Sequence, residues 1–93
     1  MAQPTISLFR HLIRTLNYVV STHAAEELED DNLSILDIES IVLTGQISER
    51  QRDRQSREAK CVVHGVTLDG TRAEAVLKLG ATGKLVVITV YRC

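Results

Sequence analysis

The sequence predicts an α+β fold, with N-terminal helices packed on one face of a twisted antiparallel sheet of about four strands. Three observations carry this. Apolar residues recur at helical intervals as far as Val42, the period changes to two after Gly45, and Asp69-Gly70 interrupts the second half as a hairpin turn does. A chain of 93 residues with 44% apolar and 25% charged side chains fits one small domain around one core, residues 1–93.

Pro4 followed by Ile6, Phe9, Ile13 and Leu16 predicts an amphipathic helix over residues 4–16, with Arg10 and Arg14 on its wet side. Tyr18-Val19-Val20-Ser21 is β-prone and reads as one strand or an extended lead-in. Ser21 or Thr22 then caps a second helix of about ten residues, whose positive end suits Glu26 and Glu27 and whose stop fits Asn32. Ser34, with Asp37 three residues on as a weaker capping box, starts a third helix. Ile35, Ile38, Ile41 and Val42 are its expected buried stripe and Gly45 its terminator. Residues 47–54, 59–67, 71–79 and 85–91 read as four strands, and Gly80-Ala81-Thr82-Gly83 turns the chain into the last.

Aromatic residues are only 3%, which argues against single-strand binding on stacked aromatic platforms. Apolar runs of four residues or fewer are too short to span a bilayer, so no membrane association is expected. Met1-Ala2-Gln3-Pro4 has neither the basic start nor the apolar stretch of a signal peptide, which points to a cytoplasmic protein. Cys61 and Cys93 stand far apart, which signals neither a disulfide framework nor a cysteine zinc site; Cys61 reads as a small buried hydrophobe and Cys93 as exposed. The glycines are isolated, with no P-loop or dinucleotide fingerprint, and the acidic run 26–31 lacks the spacing of a calcium loop. His11, His23 and His64 are too scattered for a local metal motif, so neither metal nor small-molecule cofactor is expected.

The net charge of −1 conceals segregation. Residues 22–44 carry acids and no Lys or Arg, whereas the C-terminal half is rich in both. Alternation in the strands places Ala73, Ala75, Leu77 and Leu79 on a core face, with Arg72, Glu74, Val76 and Lys78 opposite. Lys60 and His64 fall together, as do Arg50, Arg52 and Arg54, and Thr89 and Tyr91 group with Leu85 and Val87. If these polar sets align, one sheet face gathers Arg50, Arg52, Arg54, Lys60, Arg72 and Lys78 with His64 and Tyr91, and Glu74 is its only acid.

Several segments together carry a family resemblance. They are Ser21-Thr22-His23-Ala24-Ala25-Glu26, Ile35-Leu36-Asp37-Ile38, Gly45-Gln46-Ile47, Val63-His64-Gly65 with Asp69-Gly70, and Val87-Ile88-Thr89-Val90-Tyr91. Over residues 18–91 the chain resembles the small bacterial family catalogued as domain of unknown function 4258, leaving residues 1–17 as a helical extension. The resemblance implies the fold of toxin-type ribonucleases of the RelE, colicin and barnase-like kind, RNA as substrate, and a cognate antitoxin of the YgiT zinc-finger type. Members usually place Arg four residues after the motif His, where this chain has Glu27. That departure favours the alternative of a catalytically inactive protein- or RNA-binding module.

Metal-independent RNA cleavage needs a base for the 2′-hydroxyl proton, an acid for the leaving 5′-oxygen, and cations for the phosphate charge. His23 is a candidate base or phosphate ligand, or else a hydrogen-bonding residue that locks the strand-to-helix junction. His64 is a candidate acid facing the cations, or a half-buried strand residue. Tyr91 takes a phosphate-contacting or proton-donating role from the resemblance, and otherwise packs its ring in the core with a wet hydroxyl. Arg50, Arg52, Lys60, Arg72 and Lys78 are candidate RNA contacts, although the arginine cluster, interleaved with Glu49, Asp53 and Glu58, also reads as a solvated edge.

Overall fold

In a computed structural model, which describes residues 4–52 and 58–93, three helices cover one side of a five-stranded sheet. The order is α1 (Ile6–Arg14), β1 (Tyr18–Val20), α2 (Thr22–Asp30), α3 (Ile35–Thr44), β2 (Gln46–Arg52), β3 (Ala59–Val66), β4 (Arg72–Leu79) and β5 (Leu85–Arg92). Arg54 and Arg57 lie outside the described residues. The sheet runs β1-β5-β4-β3-β2 and is antiparallel except for β1, which pairs parallel with β5. The α+β expectation therefore holds, and the Tyr18 run supplies a fifth strand. No described helix is long and apolar enough to cross a membrane.

Helix starts follow the capping residues. Thr5 accepts from the Leu8 N–H at 3.1 Å and Ser21 from Ala24 at 3.0 Å, while Asp37 reaches back to the Ser34 N–H at 2.9 Å. α2 stops at Asn32, which takes the left-handed conformation (φ 55°). The third helix ends at Gly45 in extended backbone, not in a left-handed turn, and the glycine is needed there for space. A Cβ at Gly45 would collide with the Ile41 carbonyl and stand 2.7 Å from the His64 carbonyl, so its absence lets α3 lie against β3.

The core is aliphatic around Phe9, Ile13, Ile38, Ile41, Val42, Val63, Leu77, Leu85 and Val87. α1 lies wholly outside the family resemblance yet supplies Phe9, Leu12 and Ile13 to the same core. Two expectations fail here. Ile35 is 44% exposed, because the inward place in the first turn of α3 belongs to Asp37, which accepts the Leu68 N–H at 2.9 Å. Arg10 does not sit on a wet face: its guanidinium crosses to the Gly45 carbonyl at 2.7 Å, at the negative end of α3.

Both long hairpins turn through a left-handed glycine, Gly70 and Gly83, each at φ 85°. In the first, Asp69 accepts from the Thr67 hydroxyl at 2.5 Å and the Thr71 N–H at 3.1 Å, and these bonds hold its carboxyl down at about 2.

Candidate functional site

Directly opposed residues in an antiparallel ladder share a face, so the pairings decide which polar side chains meet. His64 on β3 stands opposite Glu74 on β4, and Glu74 stands opposite Tyr91 on β5, all on the face that none of the described helices covers. Glu74 is the hub of this row. Its Oε1 accepts the Tyr91 hydroxyl at 2.6 Å and its Oε2 lies 3.2 Å from His64 Nδ1. The Tyr91 and His64 contacts hold the carboxyl below its usual range against the opposing effect of burial. The same bond, with burial and the carboxylate charge, pushes Tyr91 up to about 12. An ionised carboxylate only accepts, so the proton on the shared His64 edge belongs on Nδ1 and the lone pair on Nε2. The His64 side chain is 41% exposed.

Cys93 completes the row. Its N–H donates to the Arg72 carbonyl at 3.0 Å, which continues the β4–β5 ladder by one step, and its Sγ lies 3.9 Å from His64 Nδ1. Burial and the Glu74 charge raise its thiol pKa, with Arg72 opposing.

Two β-bulges rearrange the faces expected from strict alternation. Between Val76 and Leu77 the β4–β5 register slips by one, so Val76 opposes Thr89 while Leu77 opposes Val87. Tyr91 therefore shares the open face with Glu74 instead of grouping with buried Leu85 and Val87. The second bulge, between Ile47 and Glu49, pairs Arg50 with Cys61 and Arg52 with Ala59, on the helix side of the sheet. Arg50 there donates to the Pro4 carbonyl and approaches Cys61 Sγ at 3.8 Å. Burial pushes that Cys61 thiol up, against the nearby Arg50 charge.

Of the expected RNA contacts, Lys60, Arg72 and Lys78 share the open face and Arg50 and Arg52 do not. Lys60 stands opposite Lys78, which pairs with Glu58 at 2.7 Å. The same bulge puts Glu49 opposite Val62 on the open face, so Glu74 is not its only acid.

His23 lies elsewhere. It occupies the first turn of α2 with its side chain 68% exposed, 3.5 Å from Glu27 Oε1. Glu27 also accepts the Thr89 hydroxyl and, at 3.0 Å, the Val90 N–H, which fastens α2 to β5 beyond the end of β1. Among the described residues no hydrogen bond or ion pair joins His23 to His64, Glu74 or Tyr91. Sequence reasoning missed Glu74 as the organising group and Cys93 as a neighbour of His64. The available signal was the shared alternation of Arg72, Glu74 and Lys78 in a strand next to one bearing His64.

A family model described as a domain of unknown function, DUF4258, matches residues 20–92. The chain belongs to that family. No curated protein and no solved structure matches it significantly. The DUF4258 match takes in His23, Glu27, His64, Glu74 and Tyr91 and begins after α1.

Proposed function

We propose that this DUF4258 protein is a toxin-type endoribonuclease that works without metal, with the open sheet face as its RNA-facing surface and His64 as its base. The observation that carries the reading is the Glu74 carboxylate between His64 Nδ1 and the Tyr91 hydroxyl, on a face that also bears Arg72, Lys60 and Lys78. In this reaction the 2′-oxygen attacks phosphorus, its proton passes to His64 Nε2, and the 5′-oxygen leaves to give a cyclic phosphate. Glu74 fixes the imidazole tautomer and stabilises the imidazolium that forms, as an orienting carboxylate does in a nucleophile–base–acid triad. Arg72 supplies cationic charge beside the reacting phosphate.

Tyr91 is a positioning residue in this scheme. A hydroxyl at about 12 whose proton is committed to Glu74 is poorly matched to proton donation near neutral pH. The leaving oxygen takes its proton from the His64 imidazolium or from water. The partner is a cognate antitoxin that adds a strand to the exposed edge of β2, whose outer side has no neighbour in the sheet among the described residues.

The experiment is cleavage of labelled single-stranded RNA in EDTA by wild type, His64→Ala, Glu74→Gln and His23→Ala. Loss of the base should cost on the order of 10² to 10⁴ in rate, Glu74→Gln somewhat less, and His23→Ala little. Equal loss in His23→Ala and none in His64→Ala would move the centre to α2. Wild type no faster than His64→Ala leaves the second reading, an inactive binding module, which is favoured by Glu27 being spent on Thr89 and Val90.

A further inference from the structure

β3, β4 and the residue that follows β5 bring a nitrogen, an oxygen and a sulfur donor together at one end of the open face. His64 Nδ1, a Glu74 carboxylate oxygen and Cys93 Sγ all lie within 4.8 Å of one another. The His64–Glu74 separation is 3.2 Å and the His64–Cys93 separation 3.9 Å. Zinc bonds of about 2.0–2.3 Å set tetrahedral donors roughly 3.3–3.6 Å apart, so these two distances bracket what the ion requires. We propose that His64, Glu74 and Cys93 form a three-ligand site for a divalent ion of the zinc class, with the fourth position left to water.

The donor set chooses the metal. Calcium and magnesium take oxygen ligands, whereas a thiolate with an imidazole and a carboxylate suits zinc or cobalt. The backbone of each ligand is already placed: His64 and Glu74 are opposed in the β3–β4 ladder, and Cys93 is held by the Arg72 carbonyl. Tyr91 holds the other oxygen of Glu74, as an outer-shell partner that orients a ligating carboxylate. Arg72 is the cation that opposes the incoming charge, and Glu49 is a further acid on the same face. Binding displaces the Nδ1 proton and the thiol proton, so it releases protons and strengthens with rising pH.

An ion here takes the Nδ1 edge of His64 that Glu74 orients in the metal-free reaction, so the two states exclude each other and are tested apart: metal without RNA, cleavage in EDTA. Reduced, metal-stripped full-length protein is titrated with Co²⁺ and followed by its absorption spectrum, with Zn²⁺ as the displacing ion. The expected result is a thiolate-to-cobalt charge-transfer band with intense tetrahedral d–d bands, at one equivalent. Cys93→Ser removes the charge-transfer band, His64→Ala and Glu74→Gln weaken binding more than tenfold, and Tyr91→Phe keeps the band but weakens binding about 10- to 100-fold. Circular dichroism of each variant separates lost ligands from lost fold. Absence of a thiolate band in wild type, binding undiminished in His64→Ala, or a band that survives Cys93→Ser and vanishes in Cys61→Ser would each overturn the assignment.

Discussion

Asp37 shows how much one side chain holds in this protein. Its Oδ2 takes the Ser34 N–H at the start of α3 and its Oδ1 takes the Leu68 N–H in the β3–β4 hairpin, so a single carboxylate fastens a helix to a turn. Burial raises its pKa, but the Leu68 and Ser34 hydrogen bonds outweigh this and the net shift is downward. A carboxyl depressed in the folded state contributes stability that is present above its unfolded pKa and is lost as pH falls through the folded value. Asp37 therefore stabilises the fold above about pH 4 and ceases to do so below it. Asp37→Ala should cost about 2–3 kcal/mol, because it removes a cap and strands two backbone donors. Asp37→Asn should cost less and flatten the acid limb of stability below about pH 4, measured by urea unfolding at several pH values. An acid limb unchanged in Asp37→Asn would assign the acid sensitivity to other carboxylates. Asp37 as a capping residue was legible from its spacing to Ser34. Its bond to Leu68 was not, since that contact spans 31 positions and depends on where the hairpin docks.

The elements were legible where local chemistry determines them. Ser21, Ser34, Asn32, Gly70 and Gly83 mark starts, stops and turns at the positions the backbone uses. The end of α1 departs from that economy. Leu16 adopts φ 60° and is 73% exposed, while the Asn17 N–H bonds the Leu12 carbonyl at 2.8 Å and Leu16 bonds Ile13 at 3.1 Å. These two bonds are the Schellman pattern, with a branched residue in the left-handed place that usually goes to glycine. A left-handed L-residue costs roughly 1–2 kcal/mol, and glycine's greater freedom in the unfolded chain offsets part of the relief. Leu16→Gly should therefore raise stability by about 0.5 kcal/mol, seen as a higher urea midpoint at unchanged m-value. Asn32→Gly, at the equivalent end of α2, should gain less, because asparagine tolerates that conformation. A lower midpoint for Leu16→Gly would mean that the exposed side chain packs usefully against its helix.

At the scale of the whole molecule, helices on one side leave a polar sheet face on the other, and the two bulges determine which charges appear there. A bulge adds one residue without a compositional mark, and in a structure of period two one residue exchanges the faces beyond it. For that reason the strands were readable from sequence, whereas the membership of each face was not. Arg50 and Arg52 pass to the helix side, and Glu49 and Tyr91 come to the open one. If RNA lies on the open face, its phosphates meet Lys60, Arg72 and Lys78 and not Arg50, which is engaged with Pro4. Lys78 can exchange Glu58 for a phosphate at little cost, since an exposed ion pair is worth about 1 kcal/mol or less. Each cation that neutralises a phosphate of single-stranded RNA adds about 0.7 to the salt slope, so three contacts give log affinity against log salt a slope near −2. Lys60→Ala and Arg72→Ala should each weaken binding and flatten that slope by about 0.7, while Arg50→Ala leaves it unchanged. Fluorescence anisotropy of labelled RNA across a salt series measures this in EDTA with His64→Ala protein, which retains the cations and removes cleavage from the measurement. A slope reduced by Arg50→Ala and untouched by Arg72→Ala would place the RNA on the helix side, against the pairing that both bulges impose.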